Sequence, residues 1–155
     1  MRKLTIVMFF VFFSSGFAQL NGKNWGPGLK IGEPFGLSVN YRLNKKLVID
    51  VDLGFGWEDE NAADYTIENL TFVLIGDLKY YQTLFDIGKG ELPFYAGIGF
   101  RTFFKYEHFG IRLPLGISYL FEKAPLALFI EYAPTYTFEF ESFVQSTCVG
   151  FRYYF

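Results

Sequence analysis

Cys148-Val149-Gly150-Phe151-Arg152-Tyr153-Tyr154-Phe155 decides the reading of this chain. Val149, Phe151, Tyr153 and Phe155 share one parity, and Cys148, Gly150, Arg152 and Tyr154 the other. A repeat of two marks a strand, because successive side chains point to opposite faces. One face is wholly apolar, and the sequence closes on its aromatic residue. A soluble domain gains little from such an ending. The last strand of a closed membrane barrel has a use for it, since it must pair with the first strand and face lipid.

The same alternation extends upstream. Leu126, Leu128, Ile130, Tyr132 and Tyr136 oppose Ala127, Glu131, Ala133 and Thr135. Phe109, Ile111, Leu113, Leu115, Ile117 and Tyr119 oppose Gly110, Arg112, Gly116 and Ser118, and Phe94, Ala96, Ile98 and Phe100 oppose Gly97, Gly99 and Arg101. A strand from Leu70 to Tyr81 sets Leu70, Phe72, Leu74, Leu78 and Tyr80 against Thr71, Asp77, Lys79 and Tyr81. Residues 47–57 hold the period throughout, near the length a tilted strand needs to cross a bilayer. Leu37, Val39, Tyr41 and Leu43 form a further apolar face, and Gly28 to Gly32 a first strand. The predicted fold class is all-β, an eight-stranded antiparallel up-and-down transmembrane β-barrel. Pro114 and Pro134 interrupt it, since proline removes a ladder hydrogen bond, and bulges or local unpairing are expected there.

Glu33-Pro34, Asn44 to Lys46, Gly88 to Glu91 and Glu122 to Pro125 read as tight turns, whereas Glu58 to Asn69 and the Lys105 and Glu141–Gln145 regions read as longer loops. With both termini on the periplasmic side, the Asn44, Gly88 and Lys123 turns lie there and the longer loops outside.

Arg2 and Lys3, an apolar run from Leu4 to Phe13, and small residues at Gly16 and Ala18 read as a signal peptide over 1–18, cleaved before Gln19. Ten apolar residues are too few for a helical span, which needs roughly twenty. The barrel domain then covers 19–155. Formal charge is −2, and losing Arg2 and Lys3 takes it to −4, so nothing points to nucleic acid as a partner. The lone Cys148 excludes an internal disulfide and a multi-cysteine metal site.

Alternation does not say which face is inside, but volume does. An eight-stranded barrel is just wide enough to be filled by side chains. The apolar set contains Phe55, Trp57, Phe72, Tyr80, Phe94, Phe100, Phe109, Tyr119, Tyr132, Tyr136, Phe151, Tyr153 and Phe155, too bulky for that interior. The opposite set is rich in glycine. Aromatics also gather near strand ends: Tyr41, Tyr80, Phe94, Tyr119 and Tyr153 at one, and Trp57, Phe72, Phe100, Phe109 and Tyr136 at the other, where interfacial girdles belong.

The terminal octet resembles the assembly signal of bacterial outer-membrane barrels through Gly150, Tyr153 and Phe155, with Cys148 where a more polar residue is usual. The strand pattern over 19–155 resembles the small OmpA/OmpX-type barrels, without a peptidoglycan-binding domain. That resemblance implies a Gram-negative outer-membrane location. It implies outer-membrane lipid and lipopolysaccharide as surroundings, with the barrel-assembly machinery and periplasmic chaperones as partners in biogenesis.

Lys30, Arg42, Asp50, Asp52, Asp77, Lys79, Arg101, Arg112, Glu131 and Arg152 fall on the inward parity. Buried charges must be paired, so a ladder of salt bridges filling the lumen is expected, and pairs such as Asp50 with Lys79 or Glu131 with Arg112 would exchange partners if a path ran through it. A narrow gated path through them is the sharper alternative. A barrel enzyme acting on outer-leaflet lipid would need His108 with a partner such as Glu107, Glu139, Glu141 or Ser142, but no local motif joins them. The acidic run Glu58 to Asp64, with Glu68, reads as a solvated loop or a cation bridge to lipid headgroups. Cys148 reads as a small inward residue. The expected protein is monomeric, with no cofactor, no metal and no catalytic residue. Its role would be envelope structure or surface contact through the outer loops. The alternatives are the lipid enzyme and a soluble periplasmic lipocalin-like carrier.

Overall fold

The computed structural model describes residues 23–57, 70–86, 90–105, 108–138 and 141–155. The signal-peptide reading of 1–18 and the acidic run lie outside these residues. Nine strands form: β1 (Trp25–Gly32), β2 (Phe35–Arg42), β3 (Leu47–Trp57), β4 (Leu70–Asp86), β5 (Gly90–Phe103), β6 (Phe109–Arg112), β7 (Leu115–Phe121), β8 (Leu126–Thr137) and β9 (Ser142–Tyr153). Among the described residues there is no helix. Every pairing is antiparallel, and each strand pairs with the next in sequence except β6, which does not pair with β7.

The sheet closes into a ring. β1 pairs with β2 on one side and with β9 on the other, where Leu29 meets Phe151 and Ile31 meets Val149. The terminal octet therefore occupies the position its alternation predicts, beside the first strand. Beyond β9 the ties continue: Tyr154 N–H donates to Pro125 O at 2.7 Å and Phe155 N–H to Trp25 O at 3.0 Å.

The ring has nine strands where eight are expected, and the break falls at Pro114 and at Pro134, which faces Leu113 across the ladder. β6 and β7 lie end to end between the same neighbours, β5 and β8. At the break Leu113 N–H still reaches Pro134 O at 3.0 Å, and Pro114 O accepts from Gly97 N–H at 2.9 Å. What is lost is the bond that Pro114 has no N–H to make. Pro134, by contrast, stays inside β8, opposite Gln145. A second difference lies in β9, which starts at Ser142 instead of following a loop through Gln145.

Asn44 to Lys46 and Glu122 to Pro125 sit at one end of the ring, the turn end, with the close of β4 and the start of β5; residues 87–89 of the expected Gly88 turn lie outside the described residues. The Glu33-Pro34 turn sits at the other, the loop end, with the last residues of β3, β5 and β8. The tight β1–β2 turn uses Gly32 at φ 130°, a conformation that favours glycine, followed by a cis Glu33-Pro34 bond.

Burial alternates as the sequence does. Along β3, Val48, Asp50, Asp52, Gly54 and Gly56 are buried while Ile49, Val51, Leu53 and Phe55 are exposed. Among the described strand side chains, none on the outward face is charged. The molecule is apolar outside and ionic inside.

Candidate functional site

The site is the interior itself. Lys30, Asp50, Asp52, Asp77, Lys79, Arg101, Arg112, Glu131 and Arg152 are all buried, as their parity requires. Arg42 departs from this set: it is half-buried at the turn end, with its guanidinium 4.6 Å from the centre of the Tyr154 ring.

Glu131 on β8 is the hub. It accepts from Lys30 at 3.1 Å, Lys79 at 2.5 Å, Arg112 at 2.8 Å and the Tyr95 hydroxyl at 2.9 Å. Asp50 on β3 is the second hub, accepting from Lys79, from Arg152 at 2.6 Å and from Ser38 Oγ at 3.2 Å. Lys30 also pairs with Asp52. Asp77 lies 3.4 Å from Lys79 and 3.3 Å from Arg112 Nε. The Asp50–Lys79 and Glu131–Arg112 pairs both form. The structure replaces a ladder of separate pairs with one network drawn from β1, β2, β3, β4, β5, β6, β8 and β9.

Its charges balance. Lys30, Lys79, Arg112 and Arg152 face Asp50, Asp52, Asp77 and Glu131. Moving an ion from water to an interior costs several kcal/mol, and only close pairing with full hydrogen bonding offsets that. Asp50, Asp77 and Glu131 bring carboxylate oxygens within 4.8 Å of one another, close enough for a cation. Four basic groups already neutralise the four carboxylates there, and a dication would have to displace Lys79 from both hubs. The donor set does not fit a metal.

Aromatic side chains pack the space around the ions. Arg152 stacks 3.9 Å from the Phe129 ring centre, and Lys79 sits 5.2 Å from that of Tyr95. A Cβ at Gly116 would overlap the Tyr95 ring, and one at Gly150 the Phe129 ring. These glycines leave the room that inward aromatics need. Val73, Ile75 and Phe103 form an apolar cluster on the β4–β5 wall, and Val48 packs with the stacked pair Tyr81 and Tyr95 toward the turn end.

A separate ion pair closes the loop end. Glu33, on the β1–β2 turn, reaches across the ring to Arg101 on β5, and its other oxygen accepts from Trp57 N–H at 3.2 Å. The turn end is open by comparison, with a recess of about 240 Å³ lined by Arg42, Lys46, Tyr81 and Glu91 among others.

Sequence reasoning missed Glu33, read only as part of a turn, and Tyr95, Phe103 and Phe129 as interior groups. Phe129 was hidden in an unbroken apolar run, Leu126 to Ile130, which blurs the parity. Asp50 three strands away from Arg152 has no sequence signal at all, because its contact crosses the interior.

The proposed catalytic set is not brought together within the described residues. His108 is half-buried at the loop end and Glu141 is exposed. Glu107 and Glu139 lie outside the described residues, and of Ser142 only the backbone is described. Cys148 is buried, opposite Glu131 in the ladder. Comparison with known proteins finds no matching family model, no matching curated protein and no matching solved structure.

Proposed function

We propose that this chain is an eight-position transmembrane β-barrel of the bacterial outer membrane, with β6 and β7 sharing one position. Its role is non-enzymatic, as an envelope component that meets its surroundings through the loop end. The observation that carries this reading is the inversion of polarity. Leu37, Ile98 and Ile117 are 60%, 57% and 42% exposed on the outer face, while Arg101, Arg112 and Arg152 are at most 1% exposed inside. Water-soluble barrels that carry lipid need the opposite, an apolar interior with a cavity. An outer face of this kind is stable against hydrocarbon, where a basic residue at mid-depth costs roughly 2–4 kcal/mol.

The aromatic residues support the same placement. Trp25 and Tyr41 pack at 4.7 Å between ring centres at the turn end. At the loop end Phe55, Phe72 and Phe104 form one chain of ring contacts, and Phe100, Phe109, Phe138, Tyr136 and Phe143 another. Two aromatic belts bounding an aliphatic band match the interfaces of a bilayer. The packed ionic interior leaves the barrel plugged, so lipid and lipopolysaccharide are its surroundings and solute transport is not its role.

The test is extraction and electrophoresis. The expressed protein should fractionate with outer membranes and run faster unboiled than boiled on a detergent gel. Recovery in the soluble periplasmic fraction, with one mobility under both conditions, would overturn the reading.

A further inference from the structure

The two ends of the interior are finished differently. At the loop end Glu33 and Arg101 pair, and in the middle Lys30, Lys79, Arg112 and Arg152 each face a carboxylate. At the turn end that balance fails. Arg42 closes β2, Lys45 and Lys46 follow in the β2–β3 turn, and all three line the recess of about 240 Å³. One carboxylate, Glu91 near the start of β5, lines it with them. Among the described residues no ion pair joins Glu91 to any of the three, and none joins the three to another acid.

These cations are positioned without being neutralised. The Arg42 guanidinium lies 4.6 Å from the centre of the Tyr154 ring, and Lys46 Nζ 5.7 Å from that of Tyr80. A ring face attracts the charge of a guanidinium but accepts none of the N–H groups in its plane, so Arg42 keeps its donors. The layer beneath is short of acceptors too. Tyr81, which lines the recess, is 8% exposed, and its hydroxyl has no partner among the described residues. Asn40, fully buried, accepts from the Tyr154 hydroxyl at 3.3 Å while its Nδ2 has no partner there. Both of these groups can donate. This end of the interior holds donors and positive charge, and lacks an anionic acceptor.

We propose that the turn-end recess is a binding site for a phosphate monoester. Three cations against one carboxylate leave two positive charges in excess. A phosphate monoester carries about −1.5 to −2 charges at pH 7 on three acceptor oxygens, whereas a single carboxylate would neutralise half of the excess. Arg42 presents the planar fork that engages two phosphate oxygens at once, and Lys46 a compact point charge. The recess is smaller than the ~300–1,000 Å³ clefts that take drug-sized ligands, which suits a small ester. The same group reaches this end either on a soluble ester or as the headgroup of a lipid. Lys46 stands where the two routes meet, since the Tyr80 ring under its ammonium belongs to the outward face and is 48% exposed.

The inference adds a ligand to the proposed envelope role and rests on the membrane reading only for the lipid source. The probe is glycerol 3-phosphate, titrated calorimetrically at ~0.15 M salt into the barrel folded in a sugar-based detergent, which carries no phosphate. One site with a Kd of about 1 mM or tighter is expected, and no heat from glycerol. R42Q and K46Q keep polar side chains and should each weaken binding about tenfold. K123Q, in the β7–β8 turn and outside the recess, should bind within about twofold of wild type. R42Q also gives up the Tyr154 ring, and K46Q, at an exposed turn residue, keeps the test valid if R42Q fails to fold. A short-chain phosphatidate that binds about tenfold tighter makes a lipid the source, and one that binds no tighter makes it a soluble ester. No saturation, unchanged affinity in K46Q, or an equal loss in K123Q would overturn the proposal. Calorimetry reads the folded barrel whatever membrane it came from, so failure of the site and failure of the membrane reading, which fractionation tests, are distinguishable.

Discussion

At the scale of the residue, Glu131 concentrates the risk. One carboxylate holds Lys30, Lys79, Arg112 and Tyr95 in place. Truncating one member of a buried pair strands the others, at a cost of about 3–5 kcal/mol. E131A should lose that much in urea unfolding from vesicles, and a loss below ~1 kcal/mol would show that water enters the interior and solvates the ions. Gly116 offers a second test with a different cause. G116V places carbon where the Tyr95 ring lies, so the ring must move away from Glu131. Overpacking costs about 1–3 kcal/mol, and a Y95A background should relieve the part due to the ring while leaving that due to the Ile130 carbonyl. The inward charges were legible from parity alone. Their partners were not, because parity fixes the face of each residue but not which residues meet across the interior.

At the scale of the element, the interrupted position of β6 and β7 falls where two prolines remove ladder bonds, Pro114 toward β5 and Pro134 toward Leu113. Replacing Pro114 with valine restores an N–H directed at β5, where Gly97 already donates to the carbonyl of residue 114. Hydrogen exchange should then show a new protected amide at 114 and one continuous strand from 109 to 121. Stability should change by less than about 1 kcal/mol, since the gained bond is offset by a freer unfolded chain. Rapid exchange at 114 would mean that Leu113 and its neighbours, not the proline, impose the break. The two prolines looked alike in the sequence, and only one broke its strand. Each proline keeps an accepting carbonyl, Pro114 from Gly97 and Pro134 from Leu113, and β8 stays continuous because its other edge pairs with β9 without a gap. The β9 boundary was misjudged because Gln145 and Thr147 are polar on a face expected to be apolar. They mark the height at which the strand rises above the aliphatic band.

At the scale of the whole molecule, the claim is that hydrocarbon lies outside and the ions lie within. V51R tests one point of the outer face. Val51 is near the middle of β3 and 41% exposed, so arginine there should cost roughly 2–4 kcal/mol in vesicles. An unchanged unfolding curve would place that surface in water. The direct measurement uses the two tryptophans the chain already has, Trp25 on β1 at the turn end and Trp57 on β3 at the loop end. The protein is refolded into vesicles of phospholipid brominated at successive depths along the acyl chain, and tryptophan fluorescence is read. Strong quenching by shallow bromines, weakening as the bromine moves toward the bilayer centre, is the predicted result. Fluorescence unaffected by bromine at any depth, from a chain that is folded, would contradict the account.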